Sequence, residues 1–386
     1  MKKNISIQEG EKDMKKLLTI LTLVLVGGLL FAAGAAEQSK VASGLNIAII
    51  TSPSGVDDGS FNQDNYKGIL AFIEKNPGAK VTAIREPSGD VAMALKAAAD
   101  VVAEYDVLVL TGFQFAGIGE LAKENPDTQF ILVDTYPSDA AGKEVELPNV
   151  YAMLFAEQES GFYAGVAAAL ETKTNKVAVV NGVAYPSNVN YQYGFECGVI
   201  YANAKFGTKV EVVELPSQAG VDVTGANVGG NYVGSFADEA TGKVVAQQLV
   251  AKGVDIIFPA AGASGNGVFS AAKESAGKLR VIGCDVDQWN DGVVGSQNIV
   301  LTSVLKVMSL NVERALTNIQ NGTFKGENVL LKTDSQSIGY VSAPGRHQLQ
   351  SGTLAKLEQV LELVKNGMIV PASNFGGFTP EGFVVK

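Results

Sequence analysis

The chain has 386 residues, 46% of them hydrophobic and 18% charged. That balance excludes a disordered protein, and the length exceeds one ordinary core and suits two α/β lobes. The formal net charge of −10 repels phosphate backbones and argues against a nucleic-acid partner.

The N-terminus reads as a separate object. Lys15 and Lys16 follow Met14, an apolar stretch runs from Leu17 to Phe31, and small residues Ala32-Ala33-Gly34-Ala35-Ala36 lead into Glu37. Charge, apolar run and small-residue exit, in that order, are those of a secretory signal, expected over residues 1–36. A stretch of about fifteen residues is short for a membrane span, the alternative being an anchor that stays in place. The chain is thus expected to be exported, to the periplasm or another extracytoplasmic compartment. The residue directly after Ala36 is Glu37 and not a cysteine, so a lipid anchor is not expected.

From residue 45 apolar runs alternate with amphipathic stretches. Strands are expected at Asn46–Ile50, Lys80–Ile84, Asp106–Thr111, Gln129–Asp134 and Val150–Phe155. A second series is expected at Lys176–Val180, Lys209–Val213, Asp255–Phe258, Arg280–Cys284 and Ile299–Leu305. Helices fall between them, such as Asn62–Lys75, Val91–Glu104, Glu159–Glu171 and Thr241–Lys252, with Leu354–Asn366 near the end. Apolar β-branched runs alternating with helices indicate parallel sheets covered on both faces. The run Gln158–Gly165 joins the two series, so the reading is two Rossmann-like lobes. Residues 45–158 plus 288–323 are expected in lobe one, and 159–287 plus 324–386 in lobe two. A monomer is expected.

Parallel sheets bind ligands outside the carboxyl ends of their strands, which makes the strand exits the place to look. The first exit carries Asp57, Asp58, Ser60 and Asn62 before a helix; helix capping by Ser60 or Asn62 is the bland alternative. The third exit has Phe113 beside Gly112, a core or ligand-wall aromatic. The fourth ends in Asp134, the eighth in Phe258 with Gly262 beyond it, the ninth in Asp285 and the tenth in Lys306. A carboxylate at the end of a buried strand is expensive unless hydrogen-bonded, and its recurrence in both halves points to one shared cleft. One histidine, His347, and two distant cysteines, Cys197 and Cys284, leave little for a zinc site or a His-based triad. No cofactor, metal or catalytic residue is expected. The two thiols either pair or remain buried and free.

Several ordered motifs resemble the basic membrane protein family of ABC-importer receptors. They are Val56–Gln63, Glu159–Ala168, Gly234-Ser235-Phe236, Ala261–Gly267 and Ile282–Gln288. The resemblance spans about residues 45 to 370 and implies a type I periplasmic-binding-protein fold with three crossings between lobes. By resemblance to its purine nucleoside receptors, Asp57 or Asp58 with Asn62 would contact ligand, and Tyr66 and Phe258 would stack on the two faces of the base. Asp134 would bond the base edge, Asp285 the ribose hydroxyls, Lys306 would lie near the sugar beside Asp285, and Gly262 would allow close backbone approach. The implied partners are a small heteroaromatic ligand, a purine nucleoside first, and a membrane importer. A sensory receptor of the same fold and a secreted nucleoside-processing enzyme are the alternatives. The enzyme lacks its required groups, since Gly262-Ala263-Ser264-Gly265 does not have nucleophile-elbow spacing.

Overall fold

The computed structural model describes residues 44–385 apart from Phe375. The expected signal at 1–36 lies outside the described residues.

The chain builds two six-stranded sheets. The first contains β1 (Asn46–Thr51), β2 (Lys80–Arg85), β3 (Val107–Thr111), β4 (Gln129–Val133) and β5 (Val150–Phe155). The second contains β6 (Lys176–Asn181), β7 (Glu211–Val212), β8 (Ile256–Ala260), β9 (Arg280–Gly283) and β10 (Val300–Lys306). Two later strands complete them, β11 (Glu327–Leu331) in the first and β12 (Ile338–Tyr340) in the second. The orders are β11-β5-β4-β3-β1-β2 and β12-β10-β9-β8-β6-β7. Every pairing is parallel except β10 with β12. The central strands are buried along most of their length, as a sheet with both faces covered requires.

The helices are α1 (Phe61–Lys75), α2 (Val91–Val101), α3 (Gly119–Glu124), α4 (Glu157–Glu171), α5 (Pro186–Phe206), α6 (Glu239–Ala251), α7 (Ala263–Glu274), α8 (Met308–Gln320) and α9 (Ser351–Lys365). Side-chain caps mark two starts: Asp90 accepts from the Met93 amide and Asp238 from the Thr241 amide. Helices α4 and α5 approach so closely that a Cβ on Gly161 or Gly165 would overlap the α5 backbone, and one on Gly194 or Gly198 the α4 backbone. The glycine spacing inside the Glu159–Ala168 motif is therefore a packing device, and it fixes the α5 residues that reach the cleft.

The lobe limits need correcting. β10, expected in lobe one, pairs with β9 through Val281 with Val300 and Ile282 with Thr302, so the chain stays in lobe two until Lys306. β11, expected in lobe two, pairs with β5 and forms the edge of the first sheet. The crossings fall at Ala156, at Val307 and within 332–337. They run side by side, with the Ala156 amide donating to the Leu331 carbonyl and Val307 to Ser337. Helix α8 therefore returns to lobe one and packs on α1, while α9 packs on α4 in lobe two. Cys197 and Cys284 are both buried and free. The polar stretch 214–231 forms a small hairpin, Gly220–Val221 with Asn227–Gly229, which pins its base through Asn231 to Val179, Val213 and Leu215.

Candidate ligand-binding cleft

Six strand exits converge between the sheets. The β1 exit loop and the start of α1 contribute Asp58, Phe61 and Asn62, β3 contributes Thr111 and Phe113, and β4 contributes Asp134. From the other lobe come Gly262 after β8, Cys284 and Asp285 after β9, and Lys306 at the end of β10. Tyr185 and Tyr191 of the α5 region and Phe236 complete the wall.

The acids differ in how they are held. Asp58 is buried and accepts the amides of Ser60, Asn62 and Gln63 at 3.0, 2.9 and 3.0 Å. It caps α1 itself, in place of the expected Ser60 or Asn62, while still lining the cleft. Burial pushes its carboxyl up, against the pull of those three amides. Asp57 is exposed and does not line the cleft, which leaves Asp58 as the acid of that turn. Asn62 accepts from Thr111 at 2.8 Å and donates to Ser52 at 2.9 Å, tying three cleft residues together.

Asp134 and Asp285 follow β4 and β9 at matching places in the two lobes, with φ of 68° and 67°. Aspartate tolerates this left-handed region better than most residues, and backbone strain of this kind concentrates at functional sites. Asp285 accepts from Tyr191 Oη and from Ser60 Oγ, both at 2.7 Å, the latter across the cleft. Lys306, expected beside Asp285, pairs instead with other acids. Its Nζ lies 2.5 Å from both Asp134 oxygens, aligned on Oδ2, and 2.9 Å from Glu157 Oε1. Asp134 Oδ1 has no aligned donor. Burial disfavours the Lys306 charge, yet Asp134, Glu157 and Asp285 outweigh it and hold the ammonium above its ordinary range. Burial raises Asp134 despite that ammonium.

The aromatics need the largest revision. Phe258 is fully buried, packed on Phe195 and Tyr191 at ring-centroid distances of 6.0 and 5.6 Å, and belongs to the core beneath the cleft. It sits inside β8 with the sheet register fixed by Val179 opposite, so its side chain is committed to the α5 face. Tyr66 packs against the core one turn beyond Asn62 and does not line the cleft. The rings that line it are Phe61 and Phe113 from lobe one and Tyr185, Tyr191 and Phe236 from lobe two. Phe113 meets Tyr185 at 5.3 Å and Tyr185 meets Phe236 at 6.0 Å. Phe236 rests over Gly182, where any Cβ would overlap the ring, and beside Gly262. Gly262 has φ of 54° with ψ of −137°, a combination that suits glycine alone. Two of the rings not expected there lie inside the resemblance motifs, Phe61 in Val56–Gln63 and Phe236 in Gly234-Ser235-Phe236; Ser60 was read only as a helix cap, and Tyr185, Tyr191 and Glu157 carried no signal of their own.

Among the described residues no group of three metal-ligating side chains assembles, and no helix is long and apolar enough to cross a membrane. The sequence model for Bmp, described as ABC transporter substrate-binding protein PnrA-like, matches residues 46–227 and 217–371. The chain is 30% identical to the CD4+ T-cell-stimulating antigen of Listeria monocytogenes, over 92% of this chain and 98% of that one. It is 28% identical to the ABC transporter nucleoside-binding protein BmpA of Lactococcus lactis, over 86% and 93%. A relative from Pyrococcus abyssi named as a lipoprotein is 27% identical over 91% and 85%, so lipid anchoring is attached by name to members of this group. A crystal structure of an Aeropyrum pernix ABC-transporter solute-binding protein superposes with a TM-score of 0.69 at 23% identity, covering 85% of this chain and 93% of that one.

Proposed function

The chain belongs to the Bmp family of PnrA-like ABC transporter substrate-binding proteins, and from that premise we propose that it holds a purine nucleoside, or a similar small heteroaromatic compound, between its lobes. Proteins of this kind work outside the cytoplasmic membrane and deliver small molecules to an ABC permease. The observation that carries the nucleoside reading is the composition of the cleft: three buried carboxylates, Asp58, Asp134 and Asp285, against one ammonium, among aromatic rings from both lobes. Acceptors in excess favour a ligand rich in O–H and N–H donors, and rings favour one with a flat π face. A nucleoside has both. The relative named a nucleoside-binding protein supports the same choice.

In this reading Phe61 and Phe236 flank the base, Asp134 takes an N–H of its edge with Oδ1, the oxygen that has no aligned donor, and Asp285 exchanges Ser60 for the ribose hydroxyls. Closure of the lobes would bury the ligand, and the permease would read the closed form. The protein would act as a monomer and release its ligand unchanged. Titration calorimetry with adenosine, guanosine and inosine tests the reading; absence of heat with all three removes it. Chromatography of the incubated ligand tests for release of free base, which an enzyme would produce.

The corrected aromatic assignment has its own test. Phe236→Ala is expected to weaken adenosine binding by about 1–3 kcal/mol with the melting temperature nearly unchanged. Phe258→Ala is expected to cost about 3–5 kcal/mol of stability, as for a large ring removed from a core. Loss of binding at full stability for Phe258→Ala alone would restore the first assignment.

A further inference from the structure

The first turn of α4 carries a buried acid that the ligand cleft does not use. Glu157 is fully buried and lies outside the cleft lining, with Lys306 in front of it. Its Oε1 stands 2.9 Å from Lys306 Nζ, and its Oε2 accepts from Asn190 Nδ2 of α5 at 3.3 Å. On the far side of the same ammonium is Asp134, which belongs to the other lobe. Lys306 is thus shared between an acid of its own lobe and an acid across the cleft. The charged or titratable groups facing Glu157 are Lys306 from β10, Asp134 from the β4 exit and Tyr191 from α5, with Asp285 beyond the ammonium.

Glu157 is the residue directly after the first crossing, so it stays with Lys306 when the lobes separate, whereas Asp134 leaves with lobe one. We propose that Glu157 is a positioning residue that couples lobe closure to the uptake of a proton. Closure brings a second carboxylate onto an ammonium that Glu157 already holds and removes the water that would screen the two acids from each other. One buried cation does not keep two buried carboxylates ionised.

In the closed form burial pushes Glu157 up to about 7, aided by Asp134 and opposed by Lys306. Opening withdraws Asp134 and admits water, so both raising influences fall while the Lys306 partnership remains. The closed-form value is therefore the higher one. The proton-linked part of closure is complete below the open-form value and is lost as pH rises through about 7. The receptor grips more tightly on the acid side of neutrality.

This inference uses the nucleoside reading only to choose the probe. Adenosine is titrated by calorimetry at pH 6 and pH 8.5 in buffers of different ionisation enthalpy. The wild-type protein is expected to bind several-fold more tightly at pH 6 and to take up part of a proton near pH 7. Glu157→Gln, which keeps the shape and removes the titration, should bind with a flat profile and exchange no proton. A wild-type profile that is flat, or that survives in Glu157→Gln, overturns the proposal. Should adenosine fail to bind at either pH, the nucleoside reading falls, and small-angle scattering without ligand decides the coupling alone. The wild-type radius of gyration is expected to grow from pH 6 to 8.5 and that of Glu157→Gln to stay constant; equal behaviour sinks the coupling.

Discussion

Lys306→Met is expected to lower the stability of the folded protein by about 3–5 kcal/mol, because it leaves two buried carboxylates without their cation. Methionine fills most of the lysine stem, and the rings of Phe61, Phe155 and Tyr191 that surround the ammonium at 5.0, 5.2 and 6.0 Å would still have an apolar side chain to pack on. The loss is therefore one of charge rather than volume. Asp134 and Glu157 would then face each other in a site with almost no water, and both must take up protons to remain there. The defect should be larger at pH 8 than at pH 5, where protonation comes at little cost. Urea denaturation at the two pH values measures it. The triple variant Lys306→Met, Asp134→Asn, Glu157→Gln removes all three charges and should recover most of the stability, since replacing a whole buried ionic group is often close to neutral. Wild-type stability of the single variant at pH 8 would mean that the cluster is solvated and the cleft open.

What the sequence carried and what it withheld follow from range. The ten expected strands all form; the central ones do so because a doubly covered parallel strand needs a continuous apolar segment, while the edge strands β2 and β7 are largely or partly exposed. The short strand 327–331 escaped because it is an edge strand with a half-exposed pattern, and missing it displaced the third lobe limit. Asp134, Asp285 and Lys306 were legible as chemistry at strand exits, since burying a charge there demands a partner. Their pairing was not legible: Lys306 faces Asp134 across the cleft rather than Asp285 on its own sheet, a choice fixed by how two lobes meet. Phe258 and Phe236 show the same limit for rings. An aromatic at a strand exit faces either the core or the cleft, and for Phe258 the α5 helix, drawn close by glycines 161, 165, 194 and 198, takes the ring. Phe236 reaches the cleft from a segment with no regular structure, where no periodicity announces it.

Removal of the Asp285 carboxylate is expected to weaken adenosine binding at least 100-fold while changing adenine binding by less than about threefold. A charged hydrogen bond contributes about 1.5–3 kcal/mol, a carboxylate can accept both hydroxyls of a ribose, and a free base has neither. The substitution must respect the backbone. At φ of 67° alanine would add strain of about 1–2 kcal/mol, which glycine does not. Asp285→Gly and Asp285→Ala should therefore share the binding defect and differ in stability, which separates recognition from folding within one experiment. Ser60 and Tyr191 now donate to the two oxygens of Asp285 from opposite sides; they lose their acceptor in either variant, so the two variants differ in nothing else that touches the ligand. Calorimetry with adenosine and adenine, paired with thermal denaturation, reads both effects. Equal losses for nucleoside and base would show that Asp285 does not hold the sugar, and the acid after β9 would then serve only to fasten Ser60 of one lobe to Tyr191 of the other.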